Sequence, residues 1–180
     1  MVDVNGASTS SELAEWSVAP EPVAGPDATD LLRLYFTELI VRYSRRTATE
    51  AEIDEALADE PSADLVPPTG LFLVARYRNQ PVGCVGLKVL TPQITELKRV
   101  FIREPYRGLG GGSRVLDAIE QAARALGATA MRLDVRADLV EARRLYARNG
   151  YVEIAPYSDA RYADHWLEKQ LRHPTSQADH

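Results

Sequence analysis

Four glycines stand within five consecutive positions near the middle of the chain. β-forming residues precede them and apolar residues at helical spacing follow them, which predicts a strand, a tight turn and a helix. A turn of this kind exposes unpaired backbone N–H groups at a helix N-terminus, where they can bind an anion. The sequence therefore predicts a phosphate-binding turn, and Arg107 and Ser113 can add side-chain donors to it. The glycines are Gly108, Gly110, Gly111 and Gly112.

Two common nucleotide-binding patterns do not fit this turn. The pattern G-x-x-x-x-G-K-[ST] needs a lysine, and no lysine lies between Lys98 and Lys169. The dinucleotide pattern, started at Gly108, needs a third glycine where Ser113 stands. The pattern that does fit is R-x-x-G-x-G, which begins at Arg107.

This pattern, preceded by a strand and by I-R-E-P-Y, resembles motif A of the GCN5-related N-acetyltransferases (the GNAT family), which holds the pyrophosphate of acetyl-CoA. A second stretch, L-D-V-R-A-D-L-V-E-A-R-R-L-Y-A-R-N-G-Y at residues 133–151, resembles the downstream signature of the same family. The two motifs stand in the family's order, separated by one helix and one strand. The resemblance extends over residues 12–171, with firm matching within residues 93–171.

We therefore expect an α/β (α+β) fold, a single GNAT-type domain with a mixed twisted sheet of about seven strands flanked by about four helices. The predicted order is β-α-α-β-β-β-α-β-α-β-β, with a first strand at residues 13–19, Asp27 capping the first helix and Gly127 ending the third. We expect the domain to occupy residues 13–171, between a disordered tail at residues 1–12 and a flexible tail at residues 172–180. A chain of 180 residues is long enough for one such core.

Composition favours an ordinary globular protein. No apolar run approaches the ~18 residues that a membrane-spanning helix needs, and the N-terminus lacks the basic and apolar regions of a secretion signal. One cysteine, Cys84, excludes an internal disulfide and is typical of a reducing compartment. The net charge of −5 argues against broad nucleic-acid binding. We expect a cytoplasmic monomer or homodimer with no nucleic-acid or membrane partner.

The resemblance implies acetyl-CoA as the co-substrate and no metal ion. It implies that the backbone of Val100, Phe101 and Ile102 pairs with the pantetheine arm. The pyrophosphate is expected to contact the turn, formed by Arg107, Gly108, Leu109, Gly110, Gly111, Gly112 and Ser113. Two residues depart from the family pattern. Gly111 replaces a bulky apolar residue, which predicts loose packing at the start of the helix, and Leu139 replaces an asparagine that contacts the cofactor in many relatives.

Acetyl transfer to an amine needs a base for the amine proton and an acid for the departing thiolate. Tyr146 stands where the family has its acid tyrosine, and a phenol with a pKa near ~10 can protonate a thiolate whose thiol has a pKa near ~8.5. The alternative for Tyr146 is an aromatic residue that packs under the sheet. Two residues are candidates for the base, Glu96 and Asp134. Each has the alternative of pairing with a nearby arginine, and a chain of water molecules can also replace a dedicated base.

The predicted function is direct transfer of an acetyl group from acetyl-CoA to a primary amine of a small molecule, since no activated nucleophile for a covalent route is visible. Two alternatives remain open at this stage. One is a transferase that acts on protein N-termini or lysines. The other is a regulatory module that binds acyl-CoA without turnover.

Overall fold

The computed structural model describes residues 15–172 of the chain. Its strands are β1 Trp16–Pro20, β2 Gly70–Tyr77, β3 Gln80–Thr91, β4 Ile94–Ile102, β5 Ala130–Val135, β6 Val152–Ile154 and β7 His165–Gln170. Its helices are α1 Pro26–Ser44, α2 Glu50–Asp59, α3 Gly111–Ala125 and α4 Val140–Arg148, with a short 3-10 turn at Glu104–Tyr106. The predicted tail at residues 1–12, the first two residues of the predicted first strand, and residues 173–180 of the predicted C-terminal tail lie outside the described residues.

The strands form one mixed sheet in the order β1-β2-β3-β4-β5-β7-β6. Strands β1 to β4 pair antiparallel, and a two-residue turn with positive φ at Arg78 and Asn79 joins β2 to β3, as a tight hairpin requires. The only parallel pair described within residues 15–172 is β4 with β5, and helix α3 supplies the crossover that such a pair needs. The predicted order of strands and helices is confirmed.

Helices cover both faces of the sheet. Helix α1 packs its apolar side on one face, where Leu31 and Leu32 meet Phe72 and Val74 of β2. Helix α3 and part of α4 cover the other face with a larger cluster. This cluster includes Val115, Leu116, Ile119, Tyr146, Met131, Leu133 and Val135. Cys84 lies fully buried in the cluster that α1 covers. Within residues 15–172, no helix is long and apolar enough to cross a membrane.

The ends of two helices test the predicted caps. The N-cap of α1 is Gly25 and not Asp27, because Pro26 takes the first helical position, where its fixed φ fits and its missing N–H costs nothing. Asp27 lies in the first turn instead, and its Oδ2 accepts a hydrogen bond from Arg76 at 2.5 Å. The predicted end of α3 is confirmed: Gly127 follows the helix with φ of +89°.

Candidate functional site

The two central strands separate along their length and leave a gap between them. Strands β4 and β5 pair only from Ile94 to Glu96 on one side and from Ala130 to Arg132 on the other. Beyond those residues β4 runs on to Ile102 beside β3, while β5 runs on beside β7. Backbone groups of β4 therefore face the gap without a partner strand, as an extended ligand requires.

A β-bulge in β4 bends the strand beside this gap. Cys84 of β3 pairs with Phe101, whereas Gly86 pairs with Lys98, so β4 carries one extra residue between the two pairs. Arg99 at the bulge has φ of +56°, and its Nη2 donates to the carbonyl of Glu60 at 3.0 Å. The bulge lies in the part of β4 that no longer pairs with β5. Val100, Phe101 and Ile102, the predicted pantetheine partners, form this diverging end.

The glycine turn follows β4 after the short 3-10 turn at Glu104–Tyr106 and leads into α3. Gly108 and Gly110 have φ of +79° and +81°, which only glycine adopts without strain. A Cβ at Gly108 would meet nothing within 4 Å, so the space outside the turn is open. Helix α3 begins at Gly111 without a side-chain cap, which leaves its first N–H groups for an anion. These features suit an anion, and binding of the acetyl-CoA pyrophosphate at this turn stays a prediction.

Arg114, in the first turns of α3, is a candidate phosphate-binding residue that the sequence analysis did not identify. Within residues 15–172, its Nε is the buried side-chain polar atom that has no hydrogen-bond partner. A Cβ on Gly110 would lie 4.0 Å from this nitrogen, which places the guanidinium beside the turn. A buried donor without a partner is costly unless a ligand satisfies it. In the sequence, the sign that Arg114 could bind phosphate was its position two residues after the R-x-x-G-x-G pattern.

Arg107 makes two contacts that connect the turn to the rest of the fold. Its Nε donates to the carbonyl of Ile102 at 2.8 Å, and its Nη2 pairs with Glu38 of α1 at 2.6 Å. The side chain thus joins the turn to β4 and to α1. Its predicted role as a phosphate donor stays a prediction.

The expected loose packing around Gly111 is wrong. The indole ring of Trp16 in β1 fills the space that a side chain at Gly111 would occupy. Next to it, a Cβ on Gly112 would lie 3.0 Å from Leu145 of α4. Ser113 adds a polar contact, since its Oγ accepts a hydrogen bond from Asn149 at 3.3 Å. The start of α3 is therefore closely packed and holds the turn in place.

Tyr146 lies on α4, near enough to Asp134 of β5 to interact with it electrostatically. The side chain is 7% exposed, and its ring packs 5.8 Å from that of Tyr151. Burial raises the pKa of its hydroxyl, and the neighbouring Tyr35 and Asp134 add to the rise, so the group keeps its proton at neutral pH. Within the described residues this hydroxyl has no hydrogen-bond partner. The residue both packs in the core and retains a proton to donate.

Glu96 is buried and held at both carboxylate oxygens. It is 6% exposed, its Oε1 pairs with Lys98 at 2.7 Å, and its Oε2 accepts a hydrogen bond from Tyr157 at 2.7 Å. The predicted alternative was an arginine partner, whereas the partner is a lysine two residues along the same strand. Tyr157 belongs to the irregular loop at residues 155–164, so no local pattern in the sequence pointed to it.

Asp134 lies on β5 across the gap from Glu96. The register pairs Glu96 with Arg132, which places Asp134 two residues further along on the same face of the sheet. Burial raises the pKa of Asp134, Lys98 opposes that rise and Glu96 adds to it. In the part of the chain that the structure describes, Asp134 makes no ion pair or hydrogen bond through its side chain. It is a carboxylate whose pKa is moved towards neutrality and whose oxygens are free.

Other features of the structure lie apart from this gap. Leu139 precedes α4 and packs against the core. A cavity of about 450 Å³ lies between α1 and α2, and neither Tyr146, Glu96 nor Asp134 lines it. Residues 15–172 contain no group of three or more His, Cys, Asp or Glu side chains that could hold a metal ion.

Known proteins are similar to this chain in sequence and in fold. The model of the acetyltransferase (GNAT) family matches residues 28–151. An N-acetyltransferase of Schizosaccharomyces pombe is 35% identical over 111 residues, which are 61% of this chain and 68% of that protein. An IAA acetyltransferase of Azospirillum brasilense is 34% identical over 94 residues, which are 52% of this chain and 61% of that protein, so the chain spans less than two thirds of this relative.

A GNAT family acetyltransferase from Elizabethkingia anophelis, solved with acetyl-CoA bound, shares the fold with a TM-score of 0.61. The match covers 87% of this chain and 99% of that one at 17% identity. Together with the family match, which spans more than half of the chain, these findings confirm the predicted fold and enzyme class. The chain belongs to the GNAT family of N-acetyltransferases.

Proposed function

We propose that this protein moves the acetyl group of acetyl-CoA directly to a primary amine of a small molecule. The observation that supports this most strongly is the arrangement around the gap between β4 and β5. The glycine turn follows the unpaired end of β4, and three groups suited to proton transfer lie on or near the two separating strands. These groups are Tyr146, Glu96 and Asp134.

The cofactor's extended arm would run along the unpaired end of β4, with its phosphates at the glycine turn. Gly108 and Gly110 leave open space there, and the first N–H groups of α3 and the guanidinium of Arg114 supply donors. The turn follows Ile102 by a few residues, so one extended molecule can contact both. This placement brings the thioester towards the side of the gap where Tyr146 lies.

The amine would approach from the face that carries Glu96 and Asp134. We assign the proton transfer to Asp134, because its raised pKa brings it closer to the operating pH and its oxygens are free. Glu96, already held by Lys98, orients the incoming ammonium group.

The reaction then has balanced proton movements. Asp134 takes a proton from the ammonium group, and the neutral nitrogen forms a bond to the thioester carbonyl carbon. The carbon–sulfur bond breaks, and the sulfur leaves as a thiolate. Tyr146 protonates this thiolate. The nitrogen, now bound to the carbonyl carbon, loses its second proton, which reaches the phenolate through solvent, while the proton on Asp134 is released to solvent. The raised pKa of Tyr146 makes it a weak acid, but burial also raises the pKa of a thiol beside it, so the transfer remains feasible.

A screen of primary amines tests this proposal. Purified protein with acetyl-CoA is supplied with the protein-forming amino acids, polyamines, amino sugars and short peptides, and free CoA thiol and acetylated product are measured. We expect acetylated product from at least one small amine and slower CoA release without an amine. If peptides alone are acetylated, the acceptor is a protein. Absence of any acetylated product, with acetyl-CoA bound, contradicts the proposal and supports a binding module.

A further inference from the structure

Tyr157 bridges the gap from the side opposite to β4. It belongs to the loop at residues 155–164, which joins β6 to β7, and β7 pairs with β5. Its hydroxyl nevertheless donates to Oε2 of Glu96 on β4, at 2.7 Å. The hydrogen bond therefore connects the two halves of the sheet at the level where they separate.

Several contacts fix the ring of Tyr157 before any ligand binds. The guanidinium of Arg132 lies 5.3 Å from the ring centroid, and Arg132 Nε itself donates to Glu168 at 2.7 Å. The next residue in the loop, Ser158, accepts a hydrogen bond from the indole N–H of Trp166 at 3.1 Å. Because both anchors come from neighbouring strands, the hydroxyl is held in place by the fold.

The hydroxyl of Tyr157 is also a permanent donor. Burial raises its pKa, and the hydrogen bond to the Glu96 carboxylate adds to the rise, so it stays protonated across the neutral range. Glu96 then has one oxygen bound to Lys98 and the other bound to Tyr157. A carboxylate has about four acceptor positions, so positions remain for an ammonium group. Lys98 and Tyr157 therefore determine which acceptor positions of the Glu96 carboxylate stay available to the ammonium group.

We propose that Tyr157 is a positioning residue for the acceptor amine. It fixes the orientation of the Glu96 carboxylate, which lies beside Asp134. This inference rests on the proposed function, because it concerns the amine that the reaction consumes. Tyr157 does not touch the reacting atoms. It acts through Glu96, so its effect must disappear when Glu96 can no longer act.

A double-mutant cycle tests this dependence. Tyr157→Phe keeps the ring and its contact with Arg132 but removes the hydroxyl. With acetyl-CoA and the best amine of the screen, we expect kcat/KM for the amine to fall by about 10- to 100-fold, since small misplacements of a reacting group cost this much. The KM for acetyl-CoA should stay within about twofold. In a Glu96→Gln background, the same change should alter kcat/KM by no more than about twofold, the usual limit for independent sites.

Tyr162→Phe is the matched control, because Tyr162 belongs to the same loop and is 51% exposed. This variant should retain wild-type kinetics. An unaffected Tyr157→Phe, or an equal loss in both backgrounds, overturns the positioning role while leaving the proposed function intact. If no amine is acetylated, the proposed function fails. The double-mutant cycle is then measured through the melting temperatures of the four proteins. Additive melting shifts then show that the two residues are not coupled and overturn the inference as well.

Discussion

The indole of Trp16 occupies the space above Gly111, so the first strand of the sheet packs directly against the first residue of α3. A glycine at this position is what allows the close approach, since any Cβ would overlap the ring. Gly111 is part of the glycine turn and directly follows Gly110, which has a positive φ. Contact between β1 and α3 therefore supports the geometry of the glycine turn.

Replacing Gly111 by alanine should destabilise the protein by about 1–3 kcal/mol, because an added methyl group forces a closely packed core to move. The measurement is the free energy of unfolding in denaturant. The smaller ring in Trp16→Phe should recover part of that loss in the double variant. Strictly additive effects of the two changes would contradict the packing described for this pair.

Much of the fold was predictable because its signals are local. The turn at Gly108 to Gly112 and the helix after it follow from glycine spacing and apolar periodicity within a short stretch. The failed expectation at Gly111 had a non-local cause. Trp16 lies far away in sequence, and nothing around Gly111 indicates that an indole fills the space beside it.

Stability should depend on pH through Asp134. Burial raises its pKa in the folded state above the unfolded value of ~3.9, so the folded protein binds this proton more tightly. The contribution of Asp134 to stability is thus complete below the unfolded pKa and is lost as pH rises through the folded pKa. In the Asp134→Asn variant this loss of stability does not occur, because asparagine does not ionise. We expect its melting temperature, relative to wild type, to increase between pH 4 and pH 7.

The control for this change is Asp159→Asn, on the exposed part of the loop at residues 155–164. The melting temperature of this variant should follow that of the wild type at every pH. The melting temperature of Asp134→Asn relative to wild type could instead stay constant or fall as pH rises. Either result would show that the environment of Asp134 does not raise its pKa.

Gly110 provides a direct test of the phosphate-binding turn. Gly110 and Gly127 have nearly the same backbone, with φ of +81° and +89°, and lie before and after α3. Leucine at either position should destabilise the free protein similarly, by about 1 kcal/mol or more, because both adopt a left-handed conformation. Only Gly110→Leu should abolish the rise in melting temperature that excess acetyl-CoA produces.

The comparison of the two variants separates backbone strain from loss of the site. If Gly110→Leu keeps the full acetyl-CoA stabilisation, the phosphates do not bind at this turn. If Gly127→Leu loses it too, the loss reflects the fold and not the site.

The chemistry of the site was less predictable than its fold. The motifs identified Tyr146, Glu96 and Asp134. The structure places Glu96 and Asp134 on the two strands that separate, β4 and β5, and Tyr146 near Asp134. The partners of these residues were not predictable. Tyr157 lies 61 residues from Glu96 in an irregular loop, and only the pairing of β7 with β5 brings that loop to the gap.

The role of Tyr146 as the acid that protonates the thiolate is tested most directly in a Tyr146→Phe variant. The measurement is the rate of acetyl transfer in a single turnover with acetyl-CoA already bound. Removing only the hydroxyl spares the ring and its packing against Tyr151. We expect a rate lower by about 10²- to 10⁴-fold, the range typical of general acid catalysis, with acetyl-CoA affinity unchanged. A variant that transfers the acetyl group at the wild-type rate would show that Tyr146 does not protonate the thiolate, and would contradict the mechanism.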